Sequence, residues 1–453
     1  MQRKAHDDLG IPSEILTLDW HTEGSQQPPL ELANFESKAR TLRYRALGHA
    51  CKQHGIDSLL LGHHADDQAE TVLSRLVTGY THTGLAGMSG SGRIPECHGM
   101  AGVSEFVEES SSGTSGKDGQ ASQPLLNSLN KIEQGKIRGP IQMASVGITI
   151  HRPLLEFTKA GLYQTCTESG VPWVEDQTNK DKTATLRNTI RYLHSENKLP
   201  MALRPARLLD LGQQVKRATS VAEDAASSGS PLAQDCVIRF DTRSGALILR
   251  EQSLSDQETP SDRRSPQDVA LRRLVRLVSP STEVSMDAVD TLRSHQLQGK
   301  TKCTVAETLW ERKRQKKYDF RWWVSRTPVR RASGQVPICT WGGSEQSKKN
   351  ASAWRLWDDR FWIAVWPQSD VRVICRPIEP EDLARTKNEA ENLKHRRRLL
   401  VALNEAAPGD IRFTVPALIE EASGRVLAIP TMGYHCRGWK SVLTYQVRSR
   451  AMV

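Results

Sequence analysis

The chain has 453 residues, of which 25% are charged, and its formal net charge is +10. The mean hydropathy is −0.51, and no apolar run approaches the roughly 18 residues that a membrane span needs, which excludes a membrane-spanning protein. The eight cysteines are scattered without a C-x-x-C pair, which argues against a zinc ribbon, a redox motif or a secreted disulfide scaffold and predicts reduced, intracellular thiols.

The first part of the chain alternates predicted strands and helices. Residues 14–20 and 57–62 are short apolar runs that predict strands. Apolar residues at three- and four-residue steps predict helices over 32–54 and 62–79. This order predicts an α/β fold in which a histidine pair lies at the carboxyl end of a parallel strand, where such folds bind ligands.

The rest of the chain predicts an insertion and two further regions. Residues 89–145, rich in Gly, Ser and charge, predict a mostly disordered insertion. Further helices are predicted at 159–169, 201–226, 269–278, 289–297 and near 380–406. A β-hairpin is predicted at 237–250 and strands are predicted at 354–367. The predicted domains are an α/β domain over 1–200, a mainly helical region over 201–330 and a small α+β domain over 331–453. The basic excess favours a polyanionic partner, with nucleic acid the first candidate.

The segment GHHADDQAET (62–71) groups acidic side chains with the histidine pair. On a helix, His63, Asp67 and Glu70 are spaced i, i+4, i+7 and share one face. Such a group could bind a cationic amine, hold Mg²⁺ or transfer protons. The alternative is an acidic first helical turn favoured by the helix dipole, which does not explain two adjacent histidines at a strand end. A zinc site lacks a clear third ligand, so we predict no metal-ligating residues.

Two arginine-bearing helices are candidates for phosphate binding. Glu36, Arg40 and Arg43 share one helical face, and Arg187 and Arg191, at i and i+4, present two guanidinium groups together. Paired guanidinium groups can clamp phosphate. The alternative is a solvated face with Glu–Arg pairs worth about 0.2–0.5 kcal/mol each, and spacing alone favours this alternative.

Two basic stretches occur in the second half of the chain. WERKRQKKYDFRWW (310–323) interleaves aromatic side chains with Arg and Lys, and KHRRR (394–398) forms a second cluster. Basic and aromatic side chains together suit phosphate contacts and base stacking. The alternative for 310–323 is an amphipathic strand with buried tryptophans.

Four segments in one order carry a resemblance to a known family. They are ESKARTLRYRAL (36–47), GHHADDQAETVLSRLVTGYTHTGLAGM (62–88), HRPLL (151–155) and VPWVEDQTNKDKTATLRNTIR (171–191). Together they closely resemble the catalytic domain of tRNA(Ile)-lysidine synthase, an N-type ATP pyrophosphatase of the PP-loop superfamily. WRLWDDRFWIAV (354–365) and VLAIPTMGYHCRG (426–438) look like the C-terminal, tRNA-contacting domain of that family.

The resemblance implies a fold and a reaction. The fold is a parallel-sheet, adenine-nucleotide alpha-hydrolase-like (HUP) catalytic domain. With ATP and Mg²⁺, the family adenylates the wobble cytidine of tRNA(Ile) with a CAU anticodon and releases pyrophosphate; free L-lysine then displaces AMP to give lysidine. We expect a homodimer, no membrane partner, and an intracellular location in the cytoplasm or the mitochondrial matrix.

The resemblance also implies roles for individual residues. The expected catalytic residues are His63, Asp67, Glu70 and Arg187, with Glu70 and Asp67 on the lysine ammonium ion and Arg187 on phosphate or tRNA. His63 and His64 are expected to bind ATP. The expected substrate-binding residues are Glu36, Arg40, Arg43, Asp176, Asn188 and Arg191.

The sequence departs from the family pattern at its start. The family opens with a strand, an SGGxDS phosphate-binding loop, a helix and a second strand, and this sequence contains no SGGxDS motif. We therefore expect an N-terminally truncated catalytic domain, and we favour a truncated gene model over a fragment or a decayed copy. Thr78 stands where the family usually has Arg before Gly79. The alternatives are a non-catalytic tRNA-binding remnant and a tRNA-thiolating enzyme, although thiolation usually needs paired cysteines.

Overall fold

The structure of the protein is a computed structural model. It describes residues 10, 12–20, 35–80, 82–107, 137–173, 186–228, 236–251, 266–281, 283–316, 319–328, 336–342, 354–367, 371–390 and 393–450. The chain divides into two compact units. Unit 1 comprises Met1–Ser104 with Gly147–Arg217, and unit 2 comprises Glu105–Val146 with Ala218–Val453.

The described residues form helices and strands throughout. The helices are α1 (Phe35–Gln53), α2 (Ala65–Val77), α3 (Lys159–Glu168), α4 (Leu186–Ser195), α5 (Pro205–Ser228), α6 (Pro266–Val278), α7 (Met286–Leu297), α8 (Pro380–Glu389) and α9 (Leu393–Ala406). Short 3₁₀ helices lie at His82–Ala86, Met201–Leu203, Gly409–Thr414, Pro430–Met432 and Trp439–Ser441. The strands are β1 (Ser58–Leu60), β2 (Ser91–Arg93), β3 (Glu105–Phe106), β4 (Ile137–Arg138), β5 (Ser145–Val146), β6 (Thr149–His151), β7 (Val237–Asp241), β8 (Ala246–Arg250), β9 (Lys302–Val305), β10 (Thr308–Lys316), β11 (Asp319–Arg326), β12 (Cys339–Trp341), β13 (Trp354–Trp357), β14 (Phe361–Pro367), β15 (Val373–Pro377), β16 (Pro416–Glu420), β17 (Val426–Ile429), β18 (Tyr434–His435) and β19 (Leu443–Ser449).

Unit 1 is an α/β unit built on a three-stranded sheet of order β1-β6-β2. β1 runs parallel to β6, with Leu59 opposite Ile150, and β2 runs antiparallel to β6. Helix α2 packs its apolar face against α4 and α5 around Val72, Ile190 and Leu208, all nearly fully buried. The α/β prediction for this part is therefore confirmed. The strand predicted at 14–20 is wrong, because residues 12–19 have no regular secondary structure.

The first part of unit 2 is a six-stranded sheet of order β4-β7-β8-β11-β10-β9. Its apolar face packs with α6 and α7 around Trp310, Trp322, Leu274 and Leu292, and the two tryptophan rings meet edge to face at 6.2 Å. The range 201–330, predicted to be mainly helical, thus contains five strands of this sheet beside helices α5, α6 and α7. In β10, the buried residues Thr308 to Trp310 come first and the charged residues Glu311 to Arg314 follow, and β11 pairs with both parts of the strand.

The predicted disordered insertion at 89–145 is wrong at both of its ends. β2 and β3 lie near its start, β4 lies near its end, and the final residue, Ser145, begins β5. Near the start of this range, isolated apolar side chains among the Gly and Ser residues explain why the chain is ordered, because Ile94, Val103 and Val107 are buried. In unit 2, the buried Glu105 also accepts a hydrogen bond from Trp362 Nε1 at 2.7 Å. Residues 108–136 lie outside the described part of the chain.

The last part of unit 2 has α+β character. It contains a five-stranded sheet of order β12-β15-β16-β17-β18 and a three-stranded sheet of order β13-β14-β19. The helix predicted near 380–406 is two helices, because the chain leaves helical geometry at Ala390 (φ −63°, ψ 144°). The domain boundaries predicted at residues 200 and 330 stay predictions. Across the parts of the chain that the structure describes, no helix has both the length and the apolarity that a membrane crossing requires.

Candidate active site

The first turn of α2 begins just beyond the carboxyl end of β1. His64 is the N-cap residue; its Nδ1 accepts a hydrogen bond from the Asp67 backbone N–H at 3.4 Å. The Asp67 carboxylate accepts in return from the His64 N–H at 3.1 Å. This reciprocal capping box satisfies two backbone donors and fixes the orientation of the Asp67 side chain.

Two carboxylates of α2 form a closed ion network with two arginines of α4. Glu70 and Asp67 are 4% and 7% exposed. Arg187 donates from Nε to Glu70 Oε2 at 2.7 Å and from Nη2 to Asp67 Oδ1 at 2.8 Å. Arg191 donates from Nε to Glu70 Oε1 at 2.8 Å and from Nη2 to Asp67 Oδ1 at 3.4 Å. The two negative and two positive charges balance, as burial of charged groups requires.

The network favours the charged forms of Asp67 and Arg187. Burial by itself would raise the pKa of Asp67, but the His64 N–H and the nearby positive charges outweigh it and lower that pKa below its ordinary value. Burial would likewise lower the pKa of Arg187, and its hydrogen bond and attraction to Glu70 raise it instead. Asp67 and Arg187 are therefore ionised over the whole physiological pH range.

His63 is the neutral member of the site. Burial lowers its pKa; Asp67 opposes this shift, whereas the positive charges of Arg152, Arg187 and Arg40 reinforce it. Its Nδ1 is buried and has no hydrogen-bond partner among the residues described. The positive charges that lower this pKa would favour an anion beside the imidazole.

A cavity of about 840 Å³ lies beside the ion network in unit 1. Its lining comprises His64, Asp66, Glu70, Lys159, Asn188, Arg191, Tyr192, His194, Ser195 and Pro205. Asp66 accepts a hydrogen bond from the Lys159 N–H at 2.7 Å and so attaches the start of α3 to the start of α2. The predicted site residues did not include Asp66, Lys159 or His194, which line the cavity. His194 could have been identified from the sequence by its spacing of i+7 from Arg187, which places both side chains on one face of α4.

The remaining predicted substrate-binding residues occupy different positions. Arg40 pairs with Glu96 at 3.1 Å rather than with Glu36. Arg43 is exposed, with its guanidinium group 5.9 Å from the centre of the Tyr44 ring. Glu36 is exposed, and its negative charge contributes to the raised pKa of Arg187.

Two predicted substrate-binding residues remain. Asn188 lines the cavity beside the ion network. Asp176 lies outside the described residues.

The two basic stretches of unit 2 differ in what their side chains contact. Of the two interpretations of 310–323, the strand with buried tryptophans holds for Trp310 and Trp322, because both are buried in the sheet core and cannot stack on bases. Phe320 and Trp323 are covered by Arg312 and Lys313, whose charged groups lie 4.1 Å and 4.8 Å from the ring centres. A cavity of about 670 Å³ in unit 2 is lined by Lys394, Arg397 and Arg398 of α9 together with Arg243, Leu393, Val401, Ala402 and Glu405.

Comparison with known proteins connects this geometry to a family. Residues 3–106 and 116–196 match the PP-loop domain family, and these ranges contain the whole ion network. A probable tRNA(Ile)-lysidine synthase of Schizosaccharomyces pombe is 26% identical over 434 residues, which cover 94% of this chain and 79% of that protein.

Bacterial relatives match shorter parts of the chain. The tRNA(Ile)-lysidine synthase of Methylobacterium nodulans is 27% identical over 60% of this chain and 58% of its own length. The corresponding enzyme of Bordetella parapertussis is 46% identical over 81 residues, which cover 18% of this chain and 23% of its own length. The chain thus carries a PP-loop domain, and the resemblance to the tRNA(Ile)-lysidine synthase family that the sequence motifs predicted is confirmed.

Proposed function

We propose that the chain is an ATP-dependent tRNA-modifying ligase that joins free lysine to the wobble cytidine of tRNA(Ile) through an adenylated intermediate. The observation that carries the proposal is the Asp67–Glu70–Arg187–Arg191 network, whose carboxylates are buried within the PP-loop domain and which a cavity borders. In a reaction between a cationic amine and an adenylate, carboxylates bind the amine and guanidinium groups bind the phosphate of the adenylate, and the network provides both.

The closed network suggests how the two substrates use the same four side chains. Both oxygens of Glu70 are bonded to arginines, so an incoming ammonium ion meets a carboxylate that is already neutralised. A phosphate that attracts Arg187 would draw its guanidinium group away from Glu70 and leave one carboxylate oxygen for the amine. In the proposed reaction, phosphate binding therefore prepares the amine site, which favours adenylation before lysine transfer.

The residues present suit one end of an ATP substrate. The orphaned nitrogen of His63 and the surrounding arginines are appropriate partners for an α-phosphate that becomes AMP. Among the residues described, no group of three or more His, Cys, Asp and Glu side chains could hold a metal ion. We therefore expect Mg²⁺ to enter with the ATP phosphates, as it commonly does. The homodimer stays a prediction.

The test of the proposal separates its two half-reactions. The full chain is incubated with ATP, labelled pyrophosphate and tRNA(Ile), and the expected result is ATP–pyrophosphate exchange that depends on the tRNA. With labelled lysine, the expected product is lysine bound to the tRNA and released AMP. Binding of tRNA without exchange would overturn the ligase and favour a non-catalytic tRNA-binding protein.

Glu70→Gln tests the amine site directly. The substitution keeps the shape but removes the negative charge, and the loss of a charge-assisted hydrogen bond of about 1.5–3 kcal/mol corresponds to a rise of roughly 10–150-fold in KM for lysine. The KM for ATP should change far less. Steady-state kinetics with each substrate varied in turn measures the difference, and Glu156→Gln, an exposed position in the same unit, is the matched control. Equal increases in both KM values would contradict the assignment.

A further inference from the structure

His194 lies on the face of α4 that carries the arginine pair. Arg187, Arg191 and His194 are spaced i, i+4, i+7, so the three side chains project from the same side of the helix. The imidazole lines the 840 Å³ cavity together with Glu70 and Asp66 of α2. Its Nε2 is buried and has no hydrogen-bond partner within the described part of the chain. A buried polar atom without a partner at a cavity wall calls for a functional explanation, because most such atoms are satisfied.

The surroundings of His194 keep its ring neutral. Burial lowers the pKa of His194 below its ordinary value, and the negative charges of Glu70 and Asp66 oppose the shift without reversing it. Arg191 on the same helix and Lys159 at the start of α3 line the same cavity. A neutral imidazole near carboxylates that bind an ammonium ion is suited to accept a proton.

We propose that His194 is the general base that deprotonates the lysine ε-ammonium ion in the transfer step. The inference rests on the proposed function, since it assigns a role within the same site. Lysine Nζ gives one proton to His194 Nε2 and uses the lone pair so freed to form the bond to C2 of the adenylated cytidine. The bond between C2 and the adenylated oxygen breaks, AMP leaves with its electrons, and the second proton that the amine nitrogen loses passes to a phosphate oxygen of the departing AMP. The reaction needs no further oxidant, reductant or co-reactant.

The proposal requires the ring of His194 to turn when the amine binds. In the ligand-free chain Nε2 is covered, although the ring itself is part of the cavity wall. The partial exposure of His194 leaves room for a rotamer change, and catalytic hydrogen bonds often form only once substrate is bound. Glu70 would hold the ammonium ion while His194 removes its proton, so the two side chains have separate tasks.

His194→Gln in the full chain tests the role. Lysine transfer to tRNA should fall by about 10²–10⁴-fold, the range for loss of a general base, and tRNA-dependent ATP–pyrophosphate exchange should fall much less. The pH–rate profile of transfer in the wild-type chain should rise through the ionisation of the base, and the variant should lose that limb. Hydroxylamine, an amine that is already neutral at pH 7, should react with the adenylated tRNA at similar rates in both chains.

The controls separate a base from a structural residue. His49→Gln, an exposed histidine of α1, should change neither half-reaction, and His194→Asn provides a second variant with a smaller side chain. Wild-type lysine transfer by both His194 variants would overturn the role, and so would equal losses of transfer to lysine and to hydroxylamine. A wild-type chain without tRNA-dependent exchange would instead overturn the proposed function, and the role of His194 with it.

Discussion

Asp67 is a buried acid that its neighbours keep ionised. Its pKa lies below the value near 3.9 that an unfolded chain gives it, so ionisation of Asp67 favours the folded state. This contribution is fully present above the unfolded pKa and is lost as the pH falls through the folded pKa. Unit 1 should therefore lose stability below about pH 4 partly through this one carboxyl group.

Asp67→Asn should remove that part of the acid sensitivity. At pH 7 we expect the variant to be less stable by about 1.5–3 kcal/mol, the usual value of a hydrogen bond to a charged group, and the difference should shrink as the pH falls below 4. Hydrogen–deuterium exchange of peptides from α2 and α4 at several pH values measures the effect within unit 1. Asp210→Asn, at an exposed position of α5, is the control and should show no such convergence.

At the scale of elements, two glycines in helix interiors of unit 1 differ in how much space their neighbours leave for a Cβ atom. A Cβ at position 48 of α1 would lie 2.6 Å from Val103 Cγ1 and 3.2 Å from Cys97 Sγ, both on buried residues. A Cβ at position 212 of α5 would meet its nearest neighbour, Val72 Cγ2, at 3.4 Å, which is ordinary contact. Alanine gains about 1 kcal/mol over glycine in a helix interior, whereas overpacking a core costs about 1–3 kcal/mol.

The two substitutions should therefore change stability in opposite directions. Gly48→Ala should destabilise the chain by about 1 kcal/mol net of its helix propensity, and Gly212→Ala should stabilise it by up to about 1 kcal/mol. Denaturant titration followed by circular dichroism gives both values. Stabilisation by Gly48→Ala would show that α1 does not pack against residues 97–103 as closely as described.

The extent to which the sequence predicted these elements depends on how local their determinants are. The spacing of His63, Asp67 and Glu70 predicted a shared helical face. Glu70 and Asp67 do share arginine partners, whereas His63 precedes the first residue of α2. No spacing rule connects Glu70 to Arg187, which is 117 residues away, and only the family resemblance brought both into one site. For 310–323 the sequence left two interpretations open, an RNA contact and an amphipathic strand with buried tryptophans, and the structure has strands with Trp310 in the core of the sheet.

At the scale of the whole molecule, the chain has a net charge of +10, and its two basic stretches differ in whether their cations are ion-paired. In the β10–β11 hairpin, Arg312, Lys313 and Arg321 are paired with Glu251, Glu311 and Asp319 at 2.5, 3.1 and 2.9 Å. In α9, Lys394, Arg397 and Arg398 are exposed, line a cavity, and have no ion-pair partner within the described ranges. Because cations that are already paired release fewer counterions on binding RNA, α9 is the stronger candidate for contact with tRNA phosphates.

Salt dependence of tRNA binding distinguishes the two stretches. Each phosphate contact contributes about 0.9 to the slope of log K against log salt for a duplex, so replacing Lys394, Arg397 and Arg398 by Gln should lower the slope by up to about 2.7. The matched control replaces Arg312, Lys313 and Arg321 by Gln, removes the same charge, and should change the slope by less than one contact. Filter binding over a series of salt concentrations measures both slopes. A larger change in the hairpin variant would place the RNA on the sheet and make the cavity beside α9 an ordinary surface depression.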